Sequence, residues 1–435
     1  MKIKIRSIYK LSTTLSLLTL FTYSSMAQNT ENEDIKNKLH SSKLEYKPVS
    51  TTTLDDPNAI KKIIDNDIER ATLTQNTYFS NRILAEQLKK EKNYVFSPLS
   101  LINVLHLLSE GNTGASNYEI NKALWNKSKP DTEDINTIKK WMEIKNPEKP
   151  NNLWNANSLW LNRKFKIKNS YQARIKDNYN IEIRSLPFDN PKSIDIINAW
   201  VAKSTNERIP KLFNELSSEE VLVIINAIYF KENWKKAFEK SNSRKGLFYG
   251  EKENESITFM KGEQNIHYKE QANYEEIGLE MLNDMAFFIV MPKPGYSLED
   301  IIENSMEEKS TWASYFNANK IVDISIPRFE INSKTILNET LKTLGIQKIF
   351  SPKEANFDKI SDTHDLHVSE IFQKANFEIN EEGAEGAAAT GVTMRVTSVR
   401  QKDHIQVNRP FFYFIKDLKN KSTIFAGYIK EPSDL

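Results

Sequence analysis

The segment that most constrains this chain runs from Leu366 to Thr390, where a patterned strand leads into residues with almost nothing to bury. Leu366 to Ile379 alternates like a half-buried strand rich in Val, Ile and Phe. From Gly383 to Gly391 no side chain is larger than Glu, and none is a large hydrophobe. Such a stretch is expected to stand in solvent as an exposed arm. Three glycines in nine residues speak against a helix. The run also lacks the Pro, Asn, Asp and Ser of ordinary turns. On any strand it formed, Ala384, Gly386, Ala388 and Thr390 would share one face, all small and uncharged, with Glu385 on the other. The arm is therefore compatible with a place in the middle of a β-sheet. A plain Gly/Ala-rich linker is the competing reading, but the strand before it and the block Pro410 to Ile415 after it are strongly patterned.

The 435 residues are ample for a large core. No composition break, linker or repeat follows residue 68, so 68–435 is expected to form a single domain. Charged residues make up 27% and balance to a net +2, which argues against bulk electrostatic binding of nucleic acid. Lys2, Lys4, Arg6 and Lys10 precede an apolar stretch, Leu11 to Tyr23, and then Ser25-Met26-Ala27. This is the order of a secretory signal peptide, 1–27, with cleavage expected after Ala27 and an apolar run too short for a membrane span. Residues 28–67 are polar and read as a mostly flexible extension. With no cysteine there is no disulfide, no thiolate site and no lipidation site beside the cleavage point. The mature protein is expected to be secreted or periplasmic, soluble, and stabilised by packing alone.

Along the chain, Phe79, Ile83, Leu84 and Leu88 recur at helical spacing. In Phe96-Ser97-Pro98-Leu99-Ser100, Ser97 is suited to cap a helix and Pro98 to open it, and that helix should break at Gly111. Asn157 to Leu161 reads as a strand, Ile197 to Val201 as the opening of a helix that stops near Asn206, and Val221 to Phe230 as a strand leading to Trp234. Asn226, inside that apolar strand, needs a buried polar partner. Phe287 to Pro292, Ile324 to Phe329, Leu341 to Phe350 and Phe425-Ala426-Gly427 follow.

In this order, and with the hinge-like run Glu381-Glu382-Gly383-Ala384-Glu385-Gly386-Ala387-Ala388-Ala389-Thr390, the chain resembles the serpins, serine protease inhibitors, over roughly 68–433. The resemblance implies an α+β serpin fold, with large mixed β-sheets, surrounding helices and an exposed reactive-centre loop at about 381–403. It also implies a mechanism. The target protease attacks the loop with its own Ser, His and Asp, and the acyl-enzyme is trapped when the cut loop inserts as a new central strand. Ala384 stands where Thr or Ser is commoner in the family, and Gly386 where Ala is; both remain small, although Gly386 lowers strand propensity slightly.

Counting by the family's spacing from Glu381 puts the scissile bond at Thr397–Ser398, which suits an elastase-like protease. Val396 and Arg395 are the alternatives. Glu381 matches the hinge-base carboxylate and Arg328 its basic partner, with Trp234 beneath. Ser97, Ser100 and Asn226 match the polar cluster where strands part, with Gln373 where the family often has His. Target serine proteases are the implied partners of a monomer; the resemblance leaves cysteine proteases and a polyanion site open. No cofactor is implied.

No catalytic motif competes with that reading: there is no Gly-x-Ser-x-Gly, phosphate loop or His-Glu-x-x-His. His364 and His367 have metal-like spacing but read as solvated loop residues, and the seven tryptophans as core. A non-inhibitory carrier or chaperone of the same family is the second expectation. A secreted hydrolase is the third.

Overall fold

The computed structural model describes residues 77–142, 153–179, 181–205, 207, 209–307, 312–313, 315–384 and 403–433. The signal-like segment, the extension 28–67, and residues 385–402 lie outside the described residues. That last stretch holds Glu385, Gly386, Ala387, Ala388, Ala389 and Thr390 of the hinge, together with Arg395, Val396, Thr397 and Ser398.

The first strands are β1 (Asn93–Phe96), β2 (Leu153–Asn162), β3 (Glu182–Leu186), β4 (Leu222–Phe230) and β5 (Glu232–Asn233). Next come β6 (Arg244–Tyr249), β7 (Asn254–Glu270), β8 (Tyr274–Glu280), β9 (Met285–Pro292), β10 (Lys320–Pro327) and β11 (Phe329–Ile336). The last are β12 (Val368–Ile379), β13 (Gly383–Ala384), β14 (His404–Gln406), β15 (Phe411–Asp417) and β16 (Ser422–Ile429). Among the described residues the helices are α1 (77–88), α2 (Pro98–Gly111), α3 (Gly114–Trp125), α4 (Thr132–Met142) and α5 (Asn169–Tyr179). They are followed by α6 (Lys192–Ser204), α7 (Leu298–Glu307) and α8 (Asn338–Thr343).

Five strands form a mixed sheet in the order β11-β12-β4-β2-β3. β11 and β2 run antiparallel to β12 and β4 respectively, whereas β12 and β4 lie side by side and parallel. Nine strands form a second sheet, β1-β16-β15-β9-β8-β7-β10-β14 with β6 beside β7, and β5 pairs with β13. The architecture is α+β with large mixed sheets.

Strand β4 is buried along its whole length. Ile224, Ile228 and Phe230 enter the main core, while Val223, Ile225 and Ala227 enter a second cluster with Trp160, Val201, Phe213 and Phe372. Burial on both faces is why this strand reads as an unbroken apolar run. Helix α2 is also buried on nearly every side and packs on β16 and β4. It starts as its sequence dictates, with Ser97 Oγ accepting from Ser100 N and Pro98 opening the first turn.

Helix α6 corrects one expectation. It begins at Lys192, five residues before Ile197, and ends at Ser204. Asn190 and Pro191 start it: Asn190 O accepts from Ser193 N, and Asn190 Oδ1 accepts from Lys192 N at 3.0 Å. The first turn carries one apolar residue, Ile194, among Lys192, Ser193 and Asp195, so the run Ile197 to Val201 is the part that betrays the helix. Of the tryptophans, Trp125, Trp160, Trp234 and Trp312 are buried, although Trp312 sits in a turn rather than in a regular element.

Candidate functional site: the seam of the central sheet and the hinge above it

β12 and β4 pair at eight positions, from Val368 opposite Leu222 to Asn376 opposite Tyr229, and then part. Phe377 to Ile379 stay paired with β11 alone. The seam is therefore closed below and open at its upper end. A parallel junction is slightly less stable per residue than an antiparallel one. A strand descending between β12 and β4 would be antiparallel to both, replacing one parallel ladder by two antiparallel ones.

The side chains named from sequence at this seam come together. Gln373 Oε1 accepts from Ser97 N at 2.9 Å, and its Nε2 donates to Ser97 O at 3.1 Å and to Asn226 Oδ1 at 2.7 Å. Asn226 Nδ2 donates to Ser100 Oγ and to Asn157 Oδ1. Ser100 Oγ also lies 3.4 Å from Asn157 Oδ1. The network links α2, β2, β4 and β12 in the buried interior, where each polar group needs its partner. Asn157 is the member that sequence reasoning missed. Its only signal was polarity inside a strand, which a solvent-facing residue would show equally. None of the five side chains titrates in the physiological range.

Above the seam the chain reverses. Asn380 N donates to Gly383 O at 2.8 Å and Gly383 N to Asn380 O at 3.2 Å, closing a tight turn. Gly383 then pairs with Asn233 and Ala384 with Glu232. Trp234 N donates to Glu382 O at 2.9 Å and Phe238 N to Glu381 O at 2.8 Å. This corrects the expectation that the exposed arm begins at Gly383: Gly383 is buried and Ala384 is 0% exposed. The small side chains bring the backbone into a pairing that larger ones would block. Gly383 has φ +147°, and a Cβ there would collide with the Glu232 carbonyl oxygen.

Polar side chains from several segments fasten the turn. Arg328 Nη1 lies 3.9 Å from Glu381 Oε2 and its Nη2 lies 4.0 Å from Glu378 Oε1. Ser243 Oγ donates to Glu381 Oε1 at 2.7 Å, and Lys240 Nζ to Glu382 Oε1 at 2.7 Å. That hydrogen bond to Glu382 holds the Lys240 ammonium above its usual range. Ser243 and Lys240 were not foreseen, since they come from a short irregular segment after Trp234 with no motif of its own. Trp234 Nε1 donates to Asn380 O at 2.8 Å, and its ring meets Phe238 and Phe287 with centroids at 5.9 and 5.7 Å.

Elsewhere, His364 is exposed, while His367 is half-buried with Nδ1 2.8 Å from Asp365 O. Among the described residues no group of three or more His, Asp or Glu is placed to hold a metal ion, and no helix is long and apolar enough to cross a membrane.

A five-stranded sheet with a parallel seam, backed by a nine-stranded sheet and crossed by a buried helix, is the fold of the serpins. The thermophilic serpin tengpin in its native state shares it with TM-score 0.73 and 26% identity, over 82% of this chain and 94% of that one. Thyroxine-binding globulin in complex with thyroxine shares the fold with TM-score 0.72 at 23% identity, over 83% of this chain and 99% of that one. Residues 74–432 match the family model Serpin (serine protease inhibitor), and the chain belongs to the serpin family. Serpin I2 of Homo sapiens is 28% identical over 377 residues, covering 83% of this chain and 92% of the relative. Serpin A3-6 of Bos taurus is 30% identical over 375 residues, covering 83% and 88%.

Proposed function

We propose that this serpin is a single-use inhibitor of serine endopeptidases, exported after removal of residues 1–27, and not an enzyme. The observation that carries the reading is the hinge: it has already turned back above an open-topped parallel seam, and the residues that follow are small and uncharged on one face. The protease's serine Oγ attacks the carbonyl carbon of Thr397, the C–N bond to Ser398 breaks, and the released amine takes up the proton. The new chain end, esterified to the protease, is then drawn down between β4 and β12 before water hydrolyses the ester. Continued without a bulge, the pairing of Ala384 with Glu232 brings Ala388 opposite Ile228 and Thr390 opposite Asn226. Small neutral side chains can enter there, whereas a charge would stall. A threonine at the scissile position suits an elastase-like pocket.

A ligand carrier is the second reading, favoured by the fold shared with thyroxine-binding globulin. Incubating the mature chain with an elastase, and separately with trypsin, separates the two on denaturing gels with mass spectrometry of the released peptide. The expected result is a denaturation-resistant band at the summed mass and a peptide beginning at Ser398. Loop cleavage with neither a covalent complex nor a gain in heat stability would leave the carrier reading.

A further inference from the structure

The connection between α6 and β4 crosses the outer face of the central sheet, and Leu212 and Phe213 within it are buried. From the α6 side, Asn198 Oδ1 accepts from Leu212 N at 2.8 Å and Phe213 N at 2.9 Å, and Asn198 Nδ2 donates to Phe213 O at 2.9 Å. At its end the connection is tied to β2, where Asn162 Nδ2 donates to Ser218 O and Glu220 O. It therefore belongs to the half of the sheet that contains β4. Polar contacts from the other half come at two places: at the end of the connection Val221 N donates to Ser369 Oγ, on β12, at 2.8 Å, and near its middle the contact is made from β11. Lys334 Nζ, on β11, donates to Leu212 O at 2.8 Å. The same ammonium lies 5.6 and 5.8 Å from the ring centroids of Phe213 and Phe372, which meet edge to face at 4.6 Å. Phe372 is on β12, and β11 stays paired with β12 over its whole length.

Lys334 thus fastens the two halves across the seam on the outer face, as Gln373 and Asn226 do on the inner one. It is held there beside a like charge, Lys374, which stands directly across from it on β12, with Glu370 the carboxylate that attracts it. A strand entering between β4 and β12 separates them by roughly 4.8 Å more, and a direct hydrogen bond from β11 to the connection does not survive such a shift unless the connection moves with it.

We propose that Lys334 is a positioning residue that sets the speed of sheet opening, by fastening the α6–β4 connection to β11 across the seam. The proposal rests on the insertion reading above. Its consequence is kinetic: the contact is made in the closed sheet and lost on the way to insertion, so removing it accelerates opening.

The test is uptake of a synthetic peptide of residues 383–396 by the intact mature protein, followed by native gel shift and tryptophan fluorescence. Lys334→Met keeps the aliphatic stem but loses charge and donor, and is expected to take up the peptide about fivefold faster than the parent. Lys334→Arg retains charge, donor and ring stacking and is expected to stay at the parental rate. Phe213→Leu removes one ring beneath the ammonium, is expected to accelerate uptake as well, and decides the matter should Lys334→Met not fold. Parental rates in whichever of these two variants fold would overturn the proposal while leaving insertion intact. A parent protein that takes up no peptide, and gains no heat stability when its loop is cut, would overturn the insertion reading and the role of Lys334 with it.

Discussion

Gln373 donates to Asn226 Oδ1 at 2.7 Å, and that bond crosses the seam between the two parallel strands of the central sheet. The same amide clasps both backbone groups of Ser97, so a single neutral side chain joins β12, β4 and the start of α2. A histidine in this place would make the junction answer to acidity. Here the five side chains of the network, Ser97, Ser100, Asn157, Asn226 and Gln373, carry no such dependence.

Replacing Gln373 by alanine leaves Asn226 Oδ1 and Ser97 N without these partners in the buried interior. Gln373→Ala is expected to lower stability by about 2 kcal/mol, read as a lower urea midpoint. An unchanged midpoint would mean that the network rearranges to satisfy both groups.

The hinge residues divide into weak and strong supports. Arg328 is 53% exposed in its side chain and stands 3.9 Å from Glu381, so Arg328→Gln is expected to change stability by less than about 1 kcal/mol. Trp234 is buried and bonded to Asn380 O, and Trp234→Ala is expected to cost about 3–5 kcal/mol. Urea denaturation of both variants checks the contrast, which fails if the two losses are equal.

Gly383→Ala places a Cβ against the Glu232 carbonyl oxygen in a backbone conformation that L-residues rarely adopt. The turn should then release its strand. Hydrogen exchange at Trp234 N and Phe238 N, which donate to Glu382 O and Glu381 O, is expected to quicken roughly tenfold or more. Unchanged protection of both amides would show that the turn accommodates the methyl group.

Glu220 lies where the α6–β4 connection enters β4. Burial, and then the neighbouring Glu370, push its carboxyl from 4.5 up to about 7, against a hydrogen bond from the Ser217 backbone. A carboxyl raised in the folded state contributes stability that is fully present below pH 4.5 and is lost as pH rises through about 7. Glu220→Gln mimics the neutral form, so it should match the parent at pH 4 and exceed it at pH 8. The gain is expected to be about 1 kcal/mol, since the group is half exposed and screened by solvent. Urea midpoints at the two pH values test the sign, and a variant less stable at pH 8 would reverse it.

Part of this site was legible in the residues themselves, while Ser100, Gln373, Glu381, Arg328 and Trp234 were placed only through the resemblance to the serpins. Ser97 before Pro98 announces a helix start, and Asn226 within an apolar strand announces a buried network. The small residues after Glu382 announce an arm compatible with a place in a β-sheet. What they approach was not readable. Ala384 is buried because Glu232 and Asn233 reach it from some 150 positions away, and nothing in the arm's own composition encodes that partner. Asn157, Ser243, Lys240 and Lys334 are ordinary polar residues in the sequence and acquire their places only from the tertiary fold. The start of α6 was missed for a different reason: its first turn offers a single apolar residue, Ile194, and its most buried residue is a serine, Ser193, which an apolar pattern does not register.

The turn from Asn380 to Gly383 is closed, and the pairing of Ala384 with Glu232 is made, in the chain on its own. Adding a strand to a sheet ordinarily begins with a nucleation step, in which chain entropy is lost before the first ladder bonds compensate it. In this protein the nucleus is already present at the top of the seam. Each further residue that descends adds its own bonds at once, as a zipper does after its first tooth has engaged. If the chain acts as the single-use inhibitor proposed above, against the clock of ester hydrolysis, a preformed seed removes the lag that would otherwise decide the race.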